Sequence, residues 1–233
     1  MRNRWGMLVL VVGLSACAPL AFAPPAGGDY SLQSWGGTPL PGGPWRNACD
    51  DGFKYPWLVR GSWSSTNLPM NQWGTQWPWY GGAPPLSFMR YAARSLPAHY
   101  VVDCTFAVLS CDRKDPYYPI GDTGVQVFYM NPTHYCEVVY RPKTFEVWQC
   151  NGGVPYKYNG WSLLKRVSYS SRQGMNLHVH AEVDTNAHRL TVQLPNGGSV
   201  TCYSWLLSNQ THYMTLRASN NLVRYQAVQI KSL

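Results

Sequence analysis

The chain has 233 residues, 45% hydrophobic and only 13% charged, with a formal charge of +8. That apolar content suffices for a core, and the length fits one large all-β domain or two small ones. No run of five or more Lys/Arg and no nucleic-acid-binding motif occurs, so nucleic acid ranks last among the partners its basic charge suggests. The compositional signal is the 11 Trp and 16 Tyr, side chains with a large apolar face and a polar tip. Such residues fill β-sandwich cores and also build sugar-stacking surfaces, and composition does not separate the two uses.

Residues 1–16 read as a signal peptide. Arg2 and Arg4 form a positive n-region, and Met7 to Leu14 is an apolar stretch of eight residues, too short to span a bilayer. Leu14-Ser15-Ala16-Cys17 resembles the lipobox of bacterial lipoproteins, in which cleavage precedes the cysteine and the cysteine is lipidated. The alternative is ordinary secretion with cleavage after Ala21-Phe22-Ala23. The resemblance implies attachment at Cys17, and the absence of Asp after it favours an outer-membrane or cell-surface address. Removing Cys17 from the seven cysteines leaves six, an even number suited to pairing outside the cytoplasm. Loss of the two leader arginines lowers the formal charge from +8 to +6. Residues 17–44 carry Pro and Gly without a period of 2 or 3.6, the composition of a tether between anchor and domain.

The folded domain is expected over residues 45–233. Trp57 to Trp63 is an extended run with a glycine bend at Gly61. Asn67 to Pro85 has loop composition but carries Trp73, Trp77, Trp79 and Tyr80. Exposed, these rings are a candidate glycan-stacking surface, with Asn71, Gln72 and Gln76 as hydrogen-bonding neighbours. Folded inward, they simply cap the end of a core. Ser87 to Leu96 fits a strand or a short helix, and Tyr100 to Leu109 is a strand.

From Gly124 to Cys150 three β-branched and aromatic runs, GVQVFYM, HYCEVVY and TFEVWQC, are separated by Asn-Pro-Thr and Arg-Pro-Lys. This predicts an antiparallel meander. Its alternation sets Val125, Val127 and Tyr129 against Gln126, Phe128 and Met130. It likewise sets Phe145, Val147 and Gln149 against Glu146, Trp148 and Cys150. The turn near Pro142 and Lys143 then brings Cys136 and Cys150 opposite one another as a disulfide candidate. Cys49, Cys104, Cys111 and Cys202 are the remaining candidates and allow three connectivities.

A looser segment runs to Gln173. Asn176 to Asp184 alternates, turns at Thr185 to Ala187, and continues as Arg189 to Leu194. Val200 to Leu206, Met214 to Ala218 and Leu222 to Ile230 complete about a dozen strands with no long helix. Such a chain predicts an all-β, two-sheet antiparallel sandwich. His178, His180, Glu182 and Asp184 share one strand face, so His178, His180 and Glu182 are a weak metal candidate. The simpler reading is a solvent-facing surface with cross-strand pairs to Arg189 and Gln193. No cofactor is implied.

The order of elements resembles the concanavalin A-like lectin/glucanase jelly roll, particularly its laminin-G-like and keto-disaccharide-hydrolase-like branches. The resemblance rests on Trp57…Gly61-x-Trp63, the Tyr100–Leu109 strand, the three meander runs, the NLHVHAEV/LTVQLPNG hairpin, THYMTLRASNN and VRYQAVQI. It covers roughly Trp45 to Leu233. It implies a glycan partner, while the basic charge is what suggests anionic glycans or lipid headgroups, but that superfamily holds binding modules, hydrolases, lyases and adhesion domains alike. Glu182-Val183-Asp184 matches two of the three carboxylates of the glucanase Glu-x-Asp-x-x-Glu strand, yet Ala187 stands where the acid belongs. No lyase motif is present as a run and no nucleophile elbow occurs. No catalytic residue is assigned. A carbohydrate-binding or adhesion domain is expected first, and a divergent glycoside hydrolase or polysaccharide lyase is the alternative.

Overall fold

In the computed structural model, which describes residues 38–39, 45–47, 61–63, 70–74, 86–91, 95–111, 122–153, 160–219 and 221–233, the two proline turns are closed by local hydrogen bonds. The Asn131 side chain accepts from the Thr133 N–H at 2.9 Å, and the Arg141 N–H donates to the Thr144 carbonyl at 2.9 Å. They join β7 (Asp122–Asn131), β8 (His134–Tyr140) and β9 (Thr144–Asn151) into the expected meander. Around it lie β1 (Thr38–Pro39), β2 (Trp45–Asn47), β3 (Gly61–Trp63), β4 (Met70–Gly74), β5 (Leu86–Tyr91) and β6 (His99–Cys111). Beyond it lie β10 (Trp161–Ser168), β11 (Asn176–Asp184), β12 (Arg189–Gln193), β13 (Ser199–Tyr203), β14 (Tyr213–Ser219) and β15 (Asn221–Ser232). There is no helix among the described residues, and Ser87 lies in a strand, β5.

Two antiparallel sheets result. One runs β10-β9-β8-β7-β14-β5-β2; the other runs β13-β12-β11-β6-β15-β4-β3, with β1 beside β15. Their inward faces share one apolar core that includes Phe106, Val125, Phe128, Val138, Phe145, Val147, Val179, Val183 and Leu216. Each such side chain contributes about 1.5–3 kcal/mol through burial. The tyrosines explain part of the unusual composition. Three of them cross the core and hydrogen-bond to backbone: Tyr100 to the Val127 carbonyl at 2.8 Å, and Tyr140 to the His178 carbonyl at 2.6 Å. The Tyr225 hydroxyl lies 2.6 Å from the Arg217 carbonyl and 2.8 Å from that of Gly124, and accepts from the Arg217 N–H at 3.0 Å. Gly124 itself is required by the neighbouring strand, since a Cβ there would collide with the Val138 carbonyl oxygen of β8.

The register corrects two expectations. A shift between Gln126 and Phe128 reverses the alternation of β7. Val125 and Phe128 therefore face the core, while Gln126 and Tyr129 stand on the outward side. The pairing of β8 with β9 sets Cys136 opposite Gln149 and Cys150 opposite Tyr135. Neighbouring strand positions point to opposite faces, so the expected Cys136–Cys150 bridge does not form. Cys104, Cys111, Cys136, Cys150 and Cys202 are all free thiols. Burial pushes the Cys136 thiol up to about 12, and does the same at Cys150. Cys17 and Cys49 lie outside the described residues.

Candidate functional site

Alternation on the meander turns every second side chain away from the shared core, and on that second face Gln126, Glu137 and Glu146 lie buried among Tyr129, Tyr135, Val139 and Cys150. Glu146, on β9, is the hub. The Trp148 indole N–H donates to Glu146 Oε2 at 2.7 Å, Arg166 Nε donates to Oε1 at 2.7 Å, and the Thr144 hydroxyl donates to Oε1 at 2.9 Å. Arg141 Nη1 lies 3.4 Å from Oε2, and its guanidinium sits over the Trp148 ring at 5.6 Å. Burial alone would raise the Glu146 carboxyl, but these hydrogen bonds and the charge of Arg141 hold it below its ordinary value. Glu146 is buried and Trp148 half-buried, whereas the Arg166 side chain is 50% exposed. One buried carboxylate thus fixes an indole and two guanidinium groups at the accessible edge of a rigid sheet.

Deeper on the same face, Arg217 Nε lies 3.1 Å from Glu137 Oε2, and Arg217 Nη2 lies 3.8 Å from Asp122 Oδ2. Asp122 is also held by Arg141 Nε at 3.1 Å. The Thr215 hydroxyl donates to the Gln126 amide oxygen, and Arg90 stacks 3.9 Å from the Tyr213 ring centroid. Burial pushes the Glu137 carboxyl up, while Arg217 opposes the shift. Among the described residues of this face, Arg90, Arg141, Arg166 and Arg217 outnumber Asp122, Glu137 and Glu146 by one formal charge.

The eight-stranded sheet has a second polar face. His178, His180, Glu182 and Asp184 do share one side of β11, opposite Leu177, Val179, Ala181 and Val183. They do not converge on one point. His180 Nδ1 lies 2.6 Å and His178 Nε2 3.6 Å from Asp103 Oδ1, on the neighbouring strand β6. Glu182 Oε1 is instead held by His99 at 2.8 Å and Arg189 at 2.9 Å. The metal candidate is therefore corrected: His178 and His180 turn to one carboxylate while Glu182 serves two other partners. No group of three His, Cys, Asp or Glu among the described residues has the geometry to hold a metal ion. His180 and Glu182 are also buried, unlike the open solvent face expected.

Of the aromatic cluster, Trp73 lies in β4, paired with β3 and β15, so its backbone belongs to a sheet and not to a loop. Trp77, Trp79 and Tyr80 fall outside the described residues, as does Gln76. Gln72 is fully buried and donates to the Leu216 carbonyl at 3.4 Å, which removes it as a ligand contact. The sequence reading had placed Glu146 and Trp148 on one face but assigned them no role. Of their partners, Arg141 comes from the turn before β9, and Arg166 comes from β10, where only the strand pairing sets it opposite Glu146.

No family model matches the chain, and no curated protein matches it. Solved structures do. A carbohydrate-binding module, CBM66 from Bacillus subtilis, superposes with a TM-score of 0.56 at 9% identity, covering 82% of this chain and 97% of that one. The carbohydrate recognition domain of Emp47p superposes with a TM-score of 0.51 at 10% identity, covering 83% of this chain and 90% of that one. At such identities the likeness is one of fold: the chain is an all-β jelly roll of two antiparallel sheets.

Proposed function

We propose that this protein is an exported bacterial lipoprotein, anchored through Cys17, whose sandwich binds a glycan at the cell envelope. The observation that carries the reading is the Glu146 hub, which presents Trp148, Arg141 and Arg166 together in fixed orientations. An indole face stacks on the apolar face of a sugar ring, and guanidinium groups donate in a fixed fork to carboxylates or vicinal hydroxyls. Groups held in place before binding lose little conformational freedom on binding. The positive balance of that face favours an anionic polysaccharide. The jelly-roll fold, shared with carbohydrate-binding proteins, supports the same reading.

The test is a glycan array of neutral and uronate-containing polysaccharides probed with wild type, Trp148→Ala and Arg166→Gln. The expected result is binding to an anionic glycan that each substitution weakens at least tenfold. Equal binding by all three proteins moves the site elsewhere, and no binding by the wild type removes the function. Palmitate labelling of the wild type but not of Cys17→Ala tests the anchor; an unmodified N-terminus at Pro24 refutes it. The alternative is a divergent glycoside hydrolase or polysaccharide lyase on the same fold. Turnover of the same polysaccharides by the wild type would establish that alternative.

A further inference from the structure

The two most exposed large hydrophobic side chains among the described residues are Trp205, 86% exposed, and Tyr203, 70% exposed. Tyr203 ends β13 and Trp205 follows two residues on. Single exposed aromatics are unremarkable, but here the backbone that carries them is tied down on every side. The Ser204 N–H donates to the His188 carbonyl at 3.0 Å, and the Leu207 N–H donates to the Ser204 carbonyl at 3.0 Å. The Ser204 hydroxyl reaches Gln149 on the opposite sheet at 2.5 Å and accepts from the Leu206 N–H at 3.1 Å. Leu207 is fully buried and plugs the turn into the core.

His188 completes the platform. Its φ of 52° lies in the left-handed region, the one non-glycine case among the described residues. The residue closes the turn between β11 and β12, where hairpin loops commonly place a left-handed residue. Here His188 Nδ1 meets the Leu207 carbonyl at 2.5 Å, and the imidazole lies against the Trp205 ring at 4.6 Å between centroids. The neighbouring turn is equally fixed. Asn209 Nδ2 donates to Asn186 Oδ1 at 2.6 Å, and the Thr185 hydroxyl donates to the Asn209 amide oxygen. Tyr203 is register-paired with Arg189, which reaches Glu182 at 2.9 Å and Asp184 at 3.5 Å.

We propose that Trp205 and Tyr203 form a second glycan-binding platform that takes neutral pyranose rings. This rests on the glycan-binding function proposed above and adds a subsite of different charge preference. The flat faces stack on the C–H faces of sugar rings, with Arg189 paired opposite Tyr203 and His188 against Trp205 as the polar neighbours. Two carboxylates, Glu182 and Asp184, already face the single guanidinium of Arg189. With Arg189 held by these carboxylates, the platform offers no free positive charge to an anionic chain, whereas the hub face presents Arg166 half exposed.

The experiment uses the full-length chain in a sugar-free detergent, with cellohexaose as the neutral probe and oligogalacturonate as the anionic one, measured by calorimetry. Trp205→Ala and Tyr203→Ala should each weaken cellohexaose binding at least tenfold. Neither should change oligogalacturonate binding, and both should leave the melting temperature within about 2 °C of wild type, because exposed side chains carry little stability. Trp148→Ala should show the reverse selectivity. Wild type that binds oligogalacturonate but not cellohexaose overturns the platform and leaves the hub reading standing. Wild type that binds neither probe overturns both. A Trp205→Ala protein that binds cellohexaose normally overturns the platform. So does one that changes from dimer to monomer, because the exposed rings would then be a contact between copies.

Discussion

The Arg217–Glu137 pair offers the sharpest test of how the seven-stranded sheet is held together. Both side chains are nearly inaccessible, 4% and 3% exposed, with Nε 3.1 Å from Oε2. Arg217→Met removes the guanidinium and leaves the Glu137 carboxyl buried with its main counter-charge gone. Breaking a buried pair from one side costs about 3–5 kcal/mol, because the remaining charge is uncompensated. For a folded unit of this size each kcal/mol lowers the melting temperature by about 2–4 °C, so a drop of roughly 6–20 °C is expected. The loss should depend on pH. Burial already raises the Glu137 carboxyl and Arg217 is what restrains it, so without Arg217 the folded state holds its proton more tightly still. A folded-state value above the unfolded one makes stability fall as pH rises from about 4.5, the ordinary carboxylate region, toward neutrality. Urea unfolding of Arg217→Met at pH 4 and pH 7 reads both effects. The double variant Arg217→Met/Glu137→Met should recover most of the loss, since replacing a whole buried pair by apolar groups is often neutral. A single-variant loss under about 1 kcal/mol, a loss equal at both pH values, or a double variant as unstable as Arg217→Met would refute the reasoning.

Much of the sandwich was readable from local chemistry. The meander and its two turns are carried by β-branched runs and proline dipeptides, and the β11–β12 hairpin by clean alternation. These are signals written within a few residues. What failed was phase. The shift at Val127 that puts Phe128 inward leaves no mark in GVQVFYM, because every residue there suits either face. The Cys136–Cys150 expectation failed for the related reason that one position of register exchanges the two faces of a strand. β10 follows no two-residue period, with the adjacent residues Ser162 and Leu163 both exposed, Lys165 and Arg166 both exposed, and a register shift between Leu163 and Lys165.

The candidate sites were legible in part, and unevenly. Glu146 and Trp148 were placed on the correct side of β9, but a hub is defined by partners that long-range pairing supplies. The shared face of His178, His180 and Glu182 was also correct, yet the carboxylate that binds the two imidazoles, Asp103, lies 77 residues from His180. Trp205 was hidden differently. Val200 to Leu206 alternates well enough to read as one strand, which would make Trp205 an ordinary strand residue. The strand instead ends at Tyr203, and the hydrogen bonds of Ser204 turn the chain so that the indole stands in solvent.

Tyr225→Phe should cost about 1–3 kcal/mol in urea unfolding, because the lost hydroxyl leaves the buried Gly124 carbonyl and the Arg217 N–H without that partner. An unchanged midpoint would mean the two sheets are joined by apolar packing alone at this point. The Asp103 carboxyl gives the last prediction. Burial would raise it, but hydrogen bonds and positive charge from His178 and His180 outweigh that and hold it far below its ordinary value. A depressed folded-state value means the unfolded chain binds the proton more readily, so the contribution is complete above the ordinary carboxylate region and is lost as pH falls below about 4. Asp103→Asn lacks that term at every pH. Wild type should therefore exceed Asp103→Asn in stability at pH 6, and the gap should narrow steadily between pH 4 and pH 2. A gap that stays constant over that range, measured by urea unfolding at each pH, would mean the two histidines hold Asp103 by shape and not by charge.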